Sequence, residues 1–77
     1  MLSESDSIVL AVDLPQFNLE AGDVGTIVLV HGDDGYEVEF MTLDGEPIAI
    51  TSLAADKVRP ISRREIAHAR SIENTAR

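Results

Sequence analysis

The segment YEVEF, residues 36–40, alternates an aromatic or aliphatic side chain with Glu37 and Glu39. A period of two places the acidic pair on one face of an extended chain and the apolar residues on the other. This arrangement is typical of a half-buried antiparallel strand. The pattern therefore predicts a strand that exposes Glu37 and Glu39 to solvent.

Four further short runs have the β-branched and apolar composition of strands. They are SIVLAV (7–12), DVGTIVLVH (23–31), PIAIT (47–51) and a short segment near Lys57–Arg59. Five short strands joined by turns predict a small barrel, and closing a barrel also removes exposed sheet edges. The alternative is an open three-stranded meander, which would leave too little core.

Two glycines, Gly22 and Gly25, come just before the strand predicted over 23–31. A phosphate-binding loop of the Walker type needs a lysine and opens a helix. Here the glycines open a strand, and Asp23 between them would repel an anion. We therefore interpret Gly22 as a turn residue, and Gly25 as the site of a kink or bulge where the barrel closes.

The chain changes character after Pro60. Ser62, Arg63, Arg64 and Glu65 match the S-x-x-E capping box, and Ile61 and Ile66 occupy the positions of a hydrophobic staple. These signals predict an α-helix over about 63–75. Its apolar stripe is thin, so the helix should dock on the barrel, dock on a partner or fray. The stripe consists of Ile66, Ala69, Ile72 and Ala76.

The predicted fold is thus mainly β, a small five-stranded SH3-like barrel over residues 1–61. A basic C-terminal α-helical tail follows over residues 62–77. The chain has 77 residues, which is close to the lower limit for a domain with a core of its own. Self-association or help from a partner would add stability.

Charge divides along the same line. The net charge is −8: residues 1–56 carry twelve acidic residues and no Lys or Arg, and residues 57–77 carry all six basic residues against two acidic ones. This asymmetry indicates two surfaces with different partners, or a tail that folds back on the body. The plainer alternative is a solvated acidic domain with a helical end.

Composition restricts the location of the protein. The chain has no cysteine, which excludes disulfides and thiolate metal sites and fits a reducing compartment. The polar start MLSESDS lacks the basic and apolar regions of a signal peptide. No apolar stretch approaches the ~18 residues of a membrane helix. We expect a soluble cytoplasmic protein without membrane contact.

Candidate chemistry is sparse. His31, Asp33 and Asp34, with Glu37 and Glu39 nearby, could bind a hard cation, although hairpin tips favour Asp for turn formation alone. No motif frames a serine nucleophile, and exposed carboxylates lack the burial that acid–base catalysis requires. We expect no catalytic residues, no metal and no cofactor, so the sequence predicts a protein that is not an enzyme.

Several segments together resemble a known family. They are Val9–Pro15, with D-L-P at its end, Leu19–Val28, with G-D-x-G-T-I-V, Tyr36–Phe40, and Val58-Arg59-Pro60. The chain is similar over residues 8–61 to a family of small, mostly bacterial proteins described as a domain of unknown function. The G-D-x-G-T-[IV]-V stretch is also similar to ribosome-associated and other SH3-like barrels. The resemblance implies an SH3-like barrel without catalytic residues, and binding to toxin-like or other small proteins.

These observations favour a non-catalytic module that binds a protein. The expected acidic face consists of Glu37, Glu39, Asp33, Asp34, Asp44 and Glu46. The tail would add Arg63, Arg64 and Arg70, with Ile66 and Ile72 as apolar anchors in a groove. The sharpest version is an antitoxin or immunity-like protein that neutralises a basic toxin.

Two alternatives stay open. A nucleic-acid- or ribosome-associated module would bind through Arg63, Arg64 and Arg70, although the acidic barrel makes binding of nucleic acid unfavourable. An accessory subunit would instead cap the active site of a larger enzyme. The sequence does not separate this alternative from the binding module, and a homo-oligomer is compatible with either.

Overall fold

The computed structural model describes residues 2–72 and is mainly β. Five antiparallel strands form one sheet, as the sequence predicts. They are β1 (Ser7–Leu10), β2 (Val24–His31), β3 (Gly35–Met41), β4 (Pro47–Ala54) and β5 (Val58–Pro60). Two short 3₁₀ helices, Pro15–Phe17 and Ala55–Lys57, lie in the connections. Compared with the sequence prediction, β1 is shorter and β4 is longer.

The strands lie in the order β4-β3-β2-β1-β5. In the centre, Val38 of β3 pairs with Ile27 of β2 and with Thr51 of β4. Across β1, Ile8 pairs with Gly25 of β2 and with Pro60 of β5. Strands β4 and β5 therefore end the sheet, and the three residues Ala55–Lys57 connect them.

The hydrophobic core lies on one face of this sheet. Its largest fully buried side chains are Phe40, Ile8, Leu10, Ile27 and Val38. Leu53 of β4 and Val58 of β5, from opposite ends of the strand order, belong to the same buried cluster. The sheet therefore curves around a single core. Burying each of these side chains contributes about 1.5–3 kcal/mol of transfer free energy.

The two glycines before β2 have different structural roles. Gly22 has φ +101°, in the region that favours glycine, which confirms its interpretation as a turn residue. Gly25 is buried in regular register, and the irregular β2–β3 pairing lies between Ile27 and Leu29 instead. The bulge is therefore displaced from Gly25, and the predicted kink there stays a prediction. A Cβ atom there would lie 2.6 Å from Cγ1 of Val38, so the core itself requires a glycine.

The predicted α-helix over 63–75 is wrong for its described part, because residues 62–72 contain no helix. Residues 63 and 64 form a turn, and Arg64 has φ +64°, which ends any right-handed helix at its start. The thin apolar stripe offers too little burial to stabilise a short helix in water. Residues 73–75 of the predicted helix lie outside the described residues.

Candidate functional site

Glu37 and Glu39 lie on the outer face of the sheet, opposite the core. Glu37 pairs with Leu29 on β2 and Ser52 on β4. Its carboxylate lies 3.3 Å from Nε2 of His31 and accepts a hydrogen bond of 3.4 Å from Ser52 Oγ. These contacts are solvent-exposed, so they contribute little to stability. They leave both carboxylates accessible to a partner.

The other four acidic residues of the predicted face lie in the turns at the two ends of β3. Asp33 and Asp34 lie between β2 and β3, and Asp44 and Glu46 lie between β3 and β4. A seven-residue strand spans about 23 Å. The structure thus arranges the six carboxylates along one strand, not in one compact cluster.

Some of these acidic residues take part in the hydrogen bonds of the turns. Thr42 donates its hydroxyl hydrogen to Asp44, and Thr42 Oγ1 accepts a hydrogen bond of 2.8 Å from the Glu46 N–H. Asp34 donates its backbone N–H to the carbonyl of His31 at 3.0 Å. Within residues 2–72, no group of three or more His, Asp or Glu residues is arranged to hold a metal ion.

No Lys or Arg of residues 2–72 forms an ion pair with any of these six carboxylates. The arginine ion pairs join Arg59 to Glu65, and Arg70 to Asp23 and Glu20. These ion pairs lie around β5 and the start of β2. The acidic face of β3 therefore keeps its negative charge available for binding.

Apolar side chains share this outer face. Leu29 and Ile50 are 42% and 58% exposed, and they pair with Glu37 and Glu39 respectively. Val28, beside the irregular β2–β3 pairing, is also exposed. None of these residues belongs to the candidate site predicted from the sequence. Two signals could have found them: β4 has no charged residue, and the run IVLV in β2 breaks strict alternation.

The tail is anchored first at β5. Arg59 donates two hydrogen bonds to the Glu65 carboxylate, at 3.0 and 2.7 Å. The same carboxylate accepts the Ser62 backbone N–H at 2.6 Å. This last bond is one half of the predicted capping box, and it forms without a helix. Hydrogen bonds from Arg59 and from the Ser62 backbone lower the pKa of Glu65 from 4.5 to about 2.

We expect this anchor to depend on pH. Because the pKa of Glu65 is lowered by folding, the carboxylate contribution is fully present above about pH 4.5 and is lost as the pH falls through about 2. NMR titration of the side-chain carboxyl should give a midpoint near 2 in the wild type. In Arg59→Gln the midpoint should move back toward 4.5. An unchanged midpoint in that variant would contradict the assignment.

A second anchor joins the tail to the start of β2. Arg70 donates from Nε and Nη2 to the Asp23 carboxylate, at 3.0 and 2.6 Å, and from Nη2 to the Asn18 carbonyl at 2.9 Å. Glu20 lies 3.7 Å from Nη1. Partial burial opposes ionisation of Asp23, yet the Arg70 guanidinium and the Glu20 N–H lower its pKa below the ordinary value.

The tail is therefore tied to β5 through Glu65 and to the start of β2 through Arg70. The outer face of β1 lies between these two strands. Val9 lies on this face between Val24 and Arg59. It is 7% exposed although it is not part of the core cluster. The anchors of the tail thus lie at β5 and the start of β2, whereas the acidic residues follow β3 and its turns.

The structure does not bring the predicted tail residues together into a binding face. Arg70 is held by Asp23, whereas Arg63 and Arg64 are exposed. Ile66 is 94% exposed and Ile72 is partly buried. The prediction that Ile66 and Ile72 form the apolar stripe of a helix is wrong because residues 62–72 contain no helix. Of the two interpretations of the charge asymmetry, the contacts of Arg70 with Asp23 support a tail that folds back on the body.

The family comparison agrees with this division of the chain. A family model with the description "Domain of unknown function (DUF4926)" matches residues 4–60. The chain belongs to this family. The match spans all five strands of the sheet and ends before the tail. Neither a curated protein nor a solved structure matched the chain. Among residues 2–72, no helix is long and apolar enough to cross a membrane.

Proposed function

We propose that this DUF4926 protein is a non-catalytic module that binds a basic surface of another protein through the outer face of β3 and β4. The observation that supports this proposal is the row of six carboxylates along β3 and its turns, which lack Lys or Arg partners within residues 2–72. An acidic face of this kind speeds association with a basic partner and rejects acidic ones. A basic toxin is the sharpest example of such a partner, and the module would then act as an antitoxin or immunity-like protein.

The proposal includes the finer fold. Strands β4 and β5 end the sheet but contribute Leu53 and Val58 to one core, and the three residues Ala55–Lys57 connect them. We propose that the sheet curls into an SH3-like barrel whose two edges approach at this connection. The remaining length of β4 would stay on the surface beside the acidic strand.

Exposed apolar side chains support binding of a protein in preference to nucleic acid. Leu29 and Ile50 flank the acidic pair, and protein interfaces place apolar side chains among charged ones. Arg70 forms its charged hydrogen bonds with Asp23, which reduces the positive charge available to a phosphate backbone.

The test compares two variants with the same change in net charge. Tagged wild-type chain, Glu37→Gln/Glu39→Gln and the control Glu4→Gln/Asp56→Asn are used to capture proteins from a lysate of the source cells. We expect a stoichiometric basic protein with the wild type and the control. Its affinity for Glu37→Gln/Glu39→Gln should be about tenfold weaker, because two exposed ion pairs contribute roughly 0.5–1 kcal/mol each.

Two results would contradict the proposal. One is equal capture of the partner by both double variants. The other is recovery of RNA or ribosomal proteins that moderate salt releases and that Glu37→Gln/Glu39→Gln still binds, which would favour the nucleic-acid alternative.

A further inference from the structure

Strand β4 has a free edge. The order β4-β3-β2-β1-β5 places it at one end of the sheet, and within residues 2–72 no strand pairs with its other side. It has eight residues, PIAITSLA, none of which is charged. Edge strands usually avoid further pairing through charged residues, prolines, bulges or short length. In β4 such features occur only at its start, where Pro47 pairs with Met41 next to an irregularity in the β3–β4 pairing.

We propose that the free edge of β4, over residues 50–54, binds an extended segment of the basic partner as an additional strand of the sheet. This inference rests on the proposed function and specifies how the partner binds. The segment would carry Lys or Arg at alternate positions, with apolar residues between them. Main-chain hydrogen bonds would supply affinity, and the alternating side chains would supply specificity.

The outer face of the sheet determines which positions of the added strand carry Lys or Arg. Ile50 and Ser52 of β4 lie on this face, directly beside Glu39 and Glu37 of β3. An added strand would lie about 4.8 Å beyond β4, and hence about 10 Å from β3. A Lys or Arg side chain on that strand can extend over β4 toward these carboxylates. Its aliphatic part would cover Ile50, which is 58% exposed.

The core side of the sheet determines which positions of the added strand carry apolar residues. A shallow groove at the end of β4 is lined by side chains of both faces, Tyr36 and Leu53 from the core side and His31 and Ser52 from the outer face. Leu53 pairs with Tyr36 on the core side of the sheet. An apolar residue of the added strand would continue this side of the sheet next to Leu53.

Charge decides between a basic segment and a second copy of the chain. The uncharged β4 could pair with the same strand of another molecule, but each copy has a net charge of −8. Pairing of two β4 strands would place two acidic β3 strands about 14 Å apart. Screening at physiological salt, with a Debye length of about 8 Å, weakens this repulsion but provides no attraction. A basic segment removes the repulsion and adds attraction.

The test uses defined peptides. One is the capped octapeptide KVKVKVKV, and the control is the same peptide with its two central valines N-methylated, which keeps every charge but removes two N–H donors. Binding is measured by NMR with ¹⁵N-labelled full-length chain, together with hydrogen exchange of the β4 amides. We expect at least tenfold weaker binding of the methylated peptide. We also expect at least tenfold slower exchange at β4 amides, over residues 50–54, when KVKVKVKV is bound.

A matched pair of variants adds a second readout. Ile50→Lys places a cation on β4 beside Glu39, and Ile66→Lys makes the same change in the tail, where the side chain is 94% exposed. We expect Ile50→Lys to weaken KVKVKVKV binding about tenfold and Ile66→Lys to leave it within about twofold. Both variants should keep the wild-type thermal midpoint within about 3 °C.

Three results would overturn strand addition. If both peptides bind equally with unchanged β4 exchange, the acidic face binds by charge alone, so the proposed function stands and strand addition fails. If neither peptide binds while a basic partner is still captured through Glu37 and Glu39, strand addition fails again. If free chain dimerises with protected β4 amides, the occupant is a second copy. Failure of the proposed function differs from all three, because no basic partner is then captured.

Discussion

Replacing Phe40 by alanine should leave the domain largely unfolded at 25 °C. Phe40 is 2% exposed and belongs to the core cluster that holds the curved sheet together. Truncating a buried phenylalanine costs about 3–5 kcal/mol through lost transfer free energy and the cavity that it leaves. A core of this size supplies net stability of about 3–5 kcal/mol, so the loss is comparable to the total.

Circular dichroism during urea and thermal unfolding measures this effect. Phe40→Leu is the matched control, since it keeps an apolar side chain and should lose about 1–1.5 kcal/mol. A Phe40→Ala variant that unfolds cooperatively, with a midpoint close to that of Phe40→Leu, would contradict the central position given to Phe40.

The second large effect is expected at Gly25. A Cβ atom there would lie 2.6 Å from Val38 Cγ1 and 2.8 Å from Phe40 Cε1, both of which are side chains in the closely packed core. Gly25→Val inserts three carbon atoms into this space and should destabilise the protein by about 3 kcal/mol or more through overpacking. The destabilisation comes from crowding in the core, since the backbone at Gly25 is not in the positive-φ region.

Thr26→Val is the matched control for this variant. It places the same side chain at the next residue of β2, which faces solvent. Valine favours a strand, so this variant should stay within about 0.5 kcal/mol of the wild type. Equal thermal midpoints for Gly25→Val and Thr26→Val would contradict the packing explanation.

Local sequence patterns predicted the sheet well because successive side chains of a strand point to opposite faces. Alternation of apolar and polar residues therefore reports burial directly. The alternation in residues 36–40 corresponds directly to Val38 and Phe40 in the core and Glu37 and Glu39 on the outer face. In the β3–β4 turn, Gly45 has φ +94°, a backbone conformation that favours glycine.

The same approach failed in the tail. The residues that start a helix are adjacent in sequence, but the stability of a short helix depends on packing against the rest of the protein. The Glu65 side chain accepts the Ser62 N–H, as the capping box predicts. It also binds Arg59, a residue of β5 that the local pattern does not include. Without an apolar face to bury, these polar contacts fix an irregular turn.

Contacts between distant residues were beyond local sequence reasoning. Arg70 and Asp23 are separated by 47 positions, and only the charge asymmetry indicated that the tail folds back. Gly25 was misinterpreted for the same reason, because the atoms that exclude a side chain there come from β3. The free edge of β4 likewise depends on the strand order.

Positive and negative charges are distributed unevenly over the surface. Arg59 and Arg70 pair with carboxylates around β5 and the start of β2, so part of the chain's positive charge is neutralised there. The carboxylates along β3 have no such partner in the described residues. A basic partner would therefore meet its strongest electrostatic attraction at the outer face of β3 and β4.

The most direct test of this account is an NMR map of the binding surface. ¹⁵N-labelled full-length chain is titrated with the captured basic partner, and changes in amide chemical shift are assigned by residue. The account predicts that the largest changes fall on β3, β4 and the turns that carry Asp33, Asp34, Asp44 and Glu46, while the amides around Arg70 and Asp23 stay unchanged. Changes confined to residues 62–72, with β3 and β4 unaffected, would contradict it.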